Sequence, residues 1–248
     1  MIIAASETLK NGSVSANSNN VNYPVSNVFD SRLSRLYKTV AAITTAEIVF
    51  DAGAAVTVNS ISIANHNISS SVTTLKWQGN ETNAWTSPSV DETLVYSSGI
   101  INKQFTGGSY RYWRLQVVDA TNTDTFISIG RIYGSEQSNP PPISPSFSHT
   151  RISESRKSIG ISGSVYGDKR YFYDLISINW SIITQAEKAL IIAWFETLDI
   201  TDPFFIIFDE SDMDLEAQYV TIDSPQVSFN YKRNPKWQEA SMTFRESK

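Results

Sequence analysis

Tyr110-Arg111-Tyr112-Trp113-Arg114-Leu115-Gln116-Val117 alternates along its whole length. Trp113, Leu115 and Val117 fall on one side, and Tyr112, Arg114 and Gln116 on the other. A period of two marks a strand with one buried face, because successive side chains of an extended chain point to opposite sides. The same reading extends outward. Ala46-Glu47-Ile48-Val49-Phe50-Asp51 sets Ile48 and Phe50 on one face. Val56-Thr57-Val58 and Ile61-Ser62-Ile63 both alternate, but their phase slips by one residue, as a β-bulge at Asn59-Ser60 would produce. Val72 to Trp77 and Phe126 to Tyr133 read as further strands. Turn-formers at Asp51-Ala52-Gly53, Gly79-Asn80, Ser87-Pro88 and Gly107-Gly108 separate these runs. Short, evenly spaced strands with no helical period predict a sandwich or jelly roll.

Four prolines lie within Pro140-Pro141-Pro142-Ile143-Ser144-Pro145. Proline lacks the strand donor and favours an extended conformation, so residues 139–146 read as a linker. The expected division is a jelly-roll domain at 1–138 and a second β domain at 147–248. In the second, Ser158 to Tyr166 and Arg170 to Ile183 read as strands joined at Gly167-Asp168, with Ile176, Ile178, Trp180 and Ile182 sharing a face. Thr184-Gln185-Ala186-Glu187 is a capping box, which predicts a helix over about 185–198. Its expected apolar stripe is Ala186, Ala189, Leu190, Ala193, Trp194 and Leu198. Asp202-Pro203 stops it, and Phe204 to Phe208, Tyr219 to Ile222 and Lys236 to Phe244 read as strands. Trp77, Trp113, Trp180, Trp194 and Trp237 follow this periodicity and read as core.

Composition narrows the function classes. The chain has 248 residues, of which 41% are hydrophobic and 12% aromatic, enough apolar surface for folded cores. Net charge is −5, which disfavours a nucleic-acid surface built from phosphate-neutralising cations. Cysteine is absent and there are two histidines, so disulfides, thiol chemistry and multi-His metal sites are not expected. The N-terminal Met1-Ile2-Ile3-Ala4-Ala5 run is too short for a signal-peptide core, and no stretch approaches a membrane span. The expectation is a soluble chain made in the cytoplasm, with no membrane insertion.

No nucleophile elbow, phosphate loop or His-based constellation is present, so neither an enzyme nor a cofactor is expected. The acidic run Asp209-Glu210-Ser211-Asp212-Met213-Asp214-Leu215-Glu216 lacks the glycine and spacing of an EF-hand loop and reads as a solvated loop, so no metal is expected either.

Several motifs occur in the order of a known family. Asn27-Val28-Phe29-Asp30, Ala46 to Gly53, Tyr110 to Leu115 and Ile129-Gly130-Arg131-Ile132-Tyr133-Gly134 together make the first half resemble discoidin-type, galactose-binding-like jelly rolls. The cysteine pair of many secreted members is missing, which suits a bacterial cytoplasmic origin. The second half, with a strand pair leading to Trp180, a Thr-capped helix, Pro203-Phe204-Phe205, an acidic loop and a strand to Phe244-Arg245-Glu246, resembles the barrel of bacteriophage distal-tail and hub proteins.

These resemblances imply a mainly β chain: a galactose-binding-like jelly roll followed by a β-barrel with one flanking helix. They imply a structural virion protein at a tail tip, assembled in the host bacterial cytoplasm. Its partners would be a homo-oligomer ring (trimer or hexamer), the tail tube, hub and tape measure, and a host-surface glycan. The alternative is a free-standing carbohydrate-binding protein. A sugar site needs an aromatic platform beside hydrogen-bonding groups. Asn65, His66 and Asn67 on one turn, and Trp85 in a polar loop, are the candidate ligand contacts, while Arg111 and Arg114 read as charges on a sheet face.

Overall fold

The computed structural model describes residues 2–138, 147–207, 217–224, 226–231 and 238–247. The linker at 139–146, the acidic run at 209–216 and Trp237 lie outside the described residues. The chain is mainly β and divides into two compact units: residues 1–139 with 204–219 (and residue 248), and residues 140–203 with 220–247.

The first unit contains β1 (Ile2–Glu7), β2 (Ser13–Ala16), a single 3-10 turn (Val25–Phe29), β3 (Tyr37–Lys38), β4 (Thr45–His66), β5 (Thr74–Asn80), β6 (Val90–Thr93), β7 (Ile101–Val118) and β8 (Ser128–Ser138). Its strands run β6-β5-β7-β4-β8-β1, with β2 on β4 and β3 on β8. Two long strands organise it. The first part of β4, Thr45 to Asp51, pairs with β2 and with Tyr112 to Val118 of β7. Its second part, Val56 to Ile63, pairs with β8 and with the start of β7. β4 therefore keeps β7 as one neighbour while its other changes from β2 to β8, and the register shifts at Asp51/Val56 and Val58/Ser60 lie at that change.

The core is built from the inward faces of these strands. Ile48, Phe50, Trp77, Trp113, Leu115 and Val117 are buried, as the alternation implies. Trp77 and Trp113 stack at 5.8 Å with 15° between their planes. Two expected turns are instead well inside strands, and a third, Gly79-Asn80, forms the last two residues of β5. Asp51-Ala52-Gly53 is a kink within β4, and Gly107-Gly108 lies within β7. A Cβ on Gly107 would stand 2.6 Å from the Cβ of Asn59, so glycine there permits close approach of two strands rather than a reversal.

The second unit contains β9 (Phe147–Ser153), β10 (Arg156–Ile159), β11 (Val165–Asp168), β12 (Phe172–Ile183) and α1 (Gln185–Leu198). Three later strands are β13 (Phe204–Ile207), β14 (Ala217–Ile222) and β15 (Ser228–Tyr231), and the last is β16 (Gln238–Glu246). The second unit's sheet has the order β14-β16-β12-β9, with β15 also on β16. Ile176, Ile178 and Trp180 of β12 and Ala240, Met242 and Phe244 of β16 are buried. The capping box forms as read: the Glu187 amide donates to Thr184 Oγ1 at 3.3 Å, and the Thr184 amide donates to Glu187 Oε2 at 2.6 Å.

Four details differ from the sequence reading. β13 belongs to the first unit, where it pairs with β1. Phe204 to Ile207 are all buried, and a strand apolar on both faces needs cover on both; Phe205 packs on Tyr133 at 5.4 Å and on Tyr219 at 4.8 Å. The β10–β11 turn falls at 160–164, where Gly163 has φ +79°, and Gly167 is an ordinary strand residue. The register of β12 shifts after Trp180, so Ile183 is buried while Ile182 is 60% exposed. The buried helix stripe is Ile191, Trp194 and Leu198, at i, i+3 and i+7, because the larger side chains take the inner face and Ala186, Ala189 and Ala193 remain outside.

Candidate functional site

The turn Asn65-His66-Asn67 closes β4 at one end of the first unit. Asn65 takes a left-handed conformation with φ +53° and donates from Nδ2 to the Leu33 carbonyl. Asn67 is fully engaged by the fold. Its Nδ2 donates to the Phe126 carbonyl at 2.9 Å and to Asp124 Oδ2 at 3.0 Å, while its Oδ1 accepts from the Ser128 amide at 2.7 Å. Its own carbonyl accepts from Asn122 Nδ2. The loop beside it is tied the same way, with Asp119 accepting from the amide and hydroxyl of Ser69. His66 packs edge-on against Tyr96 at 6.3 Å. Burial pulls its imidazole below the ordinary value, with backbone groups of Ser97 and Gly99 opposing in part.

A different arrangement covers the sheet formed by β6, β5, β7 and β4. Trp77, Trp113 and Leu115 point to the core, so Lys76, Gln78, Arg114 and Gln116 share the opposite face by alternation. Register sets Gln78 opposite Arg114 and opposite Asp91, and Glu47 opposite Gln116. The side chains form one chain of hydrogen bonds. Lys76 Nζ donates to Asp91 Oδ2 at 2.8 Å, and Gln78 Nε2 donates to Asp91 Oδ1 at 2.8 Å. Arg114 donates through Nε and Nη2 to Gln78 Oε1, at 2.9 and 2.6 Å. Arg114 Nη1 lies 3.4 Å from Glu47 Oε2, and Gln116 Nε2 donates to Glu47 Oε1 at 3.3 Å. Lys76 and Gln78 together hold the Asp91 carboxyl below its ordinary range.

Trp85 crowns this network. The Arg114 guanidinium stands 4.7 Å from the centre of its ring, while the ring remains half-buried. Its Nε1 donates to Asn83 Oδ1 at 2.8 Å, and Asn80 Nδ2 donates to the Ala84 carbonyl, which closes the loop that presents it. One ring face is held on a planar cation and the loop around it is polar. Such a platform can stack on the apolar face of a sugar ring while neighbouring carboxylates, amides and an ammonium engage its hydroxyls.

The structure thus separates the sequence candidates. Asn65, His66 and Asn67 stay together on one turn. Trp85 stands elsewhere, over Arg114, in the register where β7 faces Gln78 of β5. Arg111 is not part of this network; it pairs bidentately with Asp51 on an exposed position. Lys76, Gln78, Asp91 and Glu47 were not singled out from sequence. Lys76 and Gln78 are the polar half of the alternation in β5, Glu47 that of β4, and Asp91 lies on β6, a strand with no reading from sequence.

No family model matches the chain, and no curated protein does. Solved structures resemble part of it. The family 32 carbohydrate-binding module of Clostridium perfringens NanJ, solved with galactose, is 16% identical over 55% of this chain and 100% of that one, with a TM-score of 0.43. The lectin domain of lectinolysin, solved with Lewis B antigen, is 11% identical over 52% of this chain and 95% of that one, also at 0.43. The family 32 module of AlyQ, solved with 4,5-unsaturated mannuronic acid, is 20% identical over 49% and 92%, at 0.39. These likenesses assign no ligand to this chain, and the reading of the first unit as a jelly-roll-like sandwich rests on its own strand pairing.

Proposed function

We propose that the first unit is a carbohydrate-binding module and that the chain acts by binding rather than catalysis. The observation that carries this reading is Trp85, a half-buried indole seated on Arg114 above a continuous network of Glu47, Lys76, Gln78 and Asp91. In this reading Trp85 is the stacking platform, and Asn83, Lys76 and Asp91 are the groups that meet sugar hydroxyls. Arg114 is a positioning residue that holds the ring in place. A host-surface glycan is one source of such a ligand. The tail-tip role is the less supported reading: β13, which that resemblance placed in a C-terminal barrel, pairs with β1 of the first unit.

The test is a glycan array with the full chain, followed by titration calorimetry on the best ligand with wild type and Trp85→Ala. The expected outcome is saturable binding that Trp85→Ala abolishes and Arg111→Ala leaves intact. An array with no bound glycan, or a ligand held equally by Trp85→Ala, defeats the proposal.

A further inference from the structure

The ladder between β9 and β12 does not end with those strands. The Glu154 amide donates to the Tyr171 carbonyl at 3.1 Å, and the Arg170 amide donates to Ser155 Oγ at 3.0 Å. These bonds carry the pairing on into β10 and β11, so the four strands form one long antiparallel arm that turns at residues 160–164. Residues 155–159 and 161–170 are all exposed, and the outer half of the arm therefore stands in solvent on both faces.

Its side chains are sorted by distance from the turn. Ile161 in the turn is fully exposed. Ile159 and Val165 are direct cross-strand partners, 75% and 63% exposed, and complete an apolar tip. Cations stand behind it. Alternation places Lys157 on the face of Ile159, about 7 Å further from the turn, with Lys169 beyond it on the other leg. Arg156, Arg170 and Tyr166 occupy the opposite face, where Tyr166 is 63% exposed. The arm's one carboxylate is paired, since Arg170 Nε donates to Asp168 Oδ2 at 2.7 Å. Residues 156–170 thus hold four cations against one acid, a net charge of +3; the whole chain is −5, so the remainder is −8. The chain-wide balance conceals a basic collar behind an apolar tip.

That order of chemistry matches an anionic bilayer. Apolar groups that enter a membrane interface reach about 5–10 Å deep, which sets Lys157 at the phosphates when Ile159 and Val165 lie below them. Lysine stems lie along apolar surface while their ammonium groups stay with the headgroups, and tyrosine favours the same boundary. Backbone entering such a layer must bring its own hydrogen bonds. The turn does so: the Gly160 amide donates to the Ser164 carbonyl and the Gly163 amide to the Gly160 carbonyl, both at 2.8 Å. The Ser162 and Ser164 hydroxyls bond each other at 3.0 Å. A nucleic acid would engage the collar and leave the aliphatic tip in water.

We propose that the tip of this arm docks into the interfacial layer of an anionic phospholipid bilayer, with Ile159, Ile161 and Val165 below the phosphates and the basic collar among them. The arm lies in the interface and spans nothing. The proposal does not depend on the carbohydrate reading, since every residue it uses lies in the second unit.

Flotation of the full chain with vesicles of equimolar phosphatidylglycerol and phosphatidylcholine, against phosphatidylcholine alone, tests it. Wild type is expected to float with the anionic vesicles only and to be released by salt. Lys157→Gln with Lys169→Gln should weaken binding about thirtyfold. Ile161→Asp with Val165→Asp should abolish it, and an unchanged melting temperature verifies that this variant folds, because both positions are exposed. The chain has no cysteine, so Ile161→Cys accepts a single environment-sensitive fluorophore. Its emission should shift to the blue on anionic vesicles, while the same dye at Ser148→Cys, on β9 away from the tip, should not respond. A wild-type chain that binds no anionic vesicle overturns the proposal, as does equal binding to neutral ones. Binding that the aspartate variant retains, or a dye at position 161 that stays in water on the vesicle, is equally fatal. Self-association without vesicle binding, lost in the aspartate variant, would assign the tip to a protein contact and overturn the proposal too.

Discussion

The turn Asn65–Asn67 and the sheet face under Trp85 are both polar surfaces of the first unit, yet their hydrogen bonds go to different places. At the turn, Asn65 and Asn67 give their amide groups to backbone carbonyls and take a backbone amide in return. At the sheet face, the backbone is already satisfied by ladder pairing, so Arg114, Gln78, Asp91 and Lys76 bond one another. The difference follows from where secondary structure stops. A loop end leaves orphan backbone groups that side chains must satisfy. A strand interior leaves none, and its polar side chains are free to form a surface with its own chemistry. A polar cluster at a strand end is therefore weak evidence of a ligand site, whereas one on a strand face beneath a half-buried aromatic is stronger.

The largest expected effect concerns the support beneath that face. Trp113 is fully buried, stacks on Trp77, and donates from Nε1 to the Tyr110 carbonyl at 3.1 Å. Trp113→Ala should destabilise the chain by about 3–5 kcal/mol. Chemical denaturation measures it. A loss below about 1 kcal/mol would show that the network above is not anchored by the core and that the comparison begins from the wrong layer.

The alternation Trp113, Leu115, Val117 was enough to find the sheet and its buried face, because burial on one side of a strand imposes a period of two. The helix was equally legible, since Thr184 and Glu187 are a local device independent of the rest of the fold. The placement of β13 was not, because its partner β1 lies about 200 residues away and no local pattern encodes a pairing of that range. The Trp85 site was half legible. An indole in a polar loop stood out, but its seat on Arg114 depends on the register between β5 and β7, which periodicity leaves undetermined. The Asn65–Asn67 turn stood out for its composition, and composition does not reveal whether an amide bonds a ligand or its own backbone.

Asn67→Ala probes the turn directly. It would leave the Ser128 amide and the Phe126 carbonyl without their partner, at an expected cost of about 1–3 kcal/mol. Glycan affinity at the sheet face should be unchanged while the chain remains folded. An Asn67→Ala chain that is fully stable but binds glycan tenfold more weakly would reverse the two assignments.

Trp85→Ala is the mirror experiment. The half-buried stacking of Trp85 on Arg114 contributes about 0.5–2 kcal/mol to stability, so melting should move little while binding disappears. A large fall in stability would mean that the loop from Asn80 to Val90 is part of the fold rather than a platform resting on it.

The smallest expected effect separates the two regions by pH. Burial lowers the His66 pKa from its ordinary value near 6.5, so the folded chain keeps the ring neutral. As pH falls below that value, the unfolded chain takes up a proton that the folded chain refuses. More protons are then bound by the unfolded state, and stability declines with falling pH until the folded ring itself titrates. The carboxyls act in a lower window. Arg32 holds Asp30 well below the carboxylate range and Arg111 holds Asp51 at about 2, so the stability they contribute is lost only below the unfolded carboxylate value near 3.8. Melting temperature should therefore fall modestly between pH 7.5 and 5 in wild type and stay level in His66→Gln. No histidine lies in the Trp85 network, so glycan affinity should hold constant over the same range. An unchanged melting slope in His66→Gln would remove the turn from the account of stability. A binding curve that follows the titration of His66 would instead draw the turn into the site.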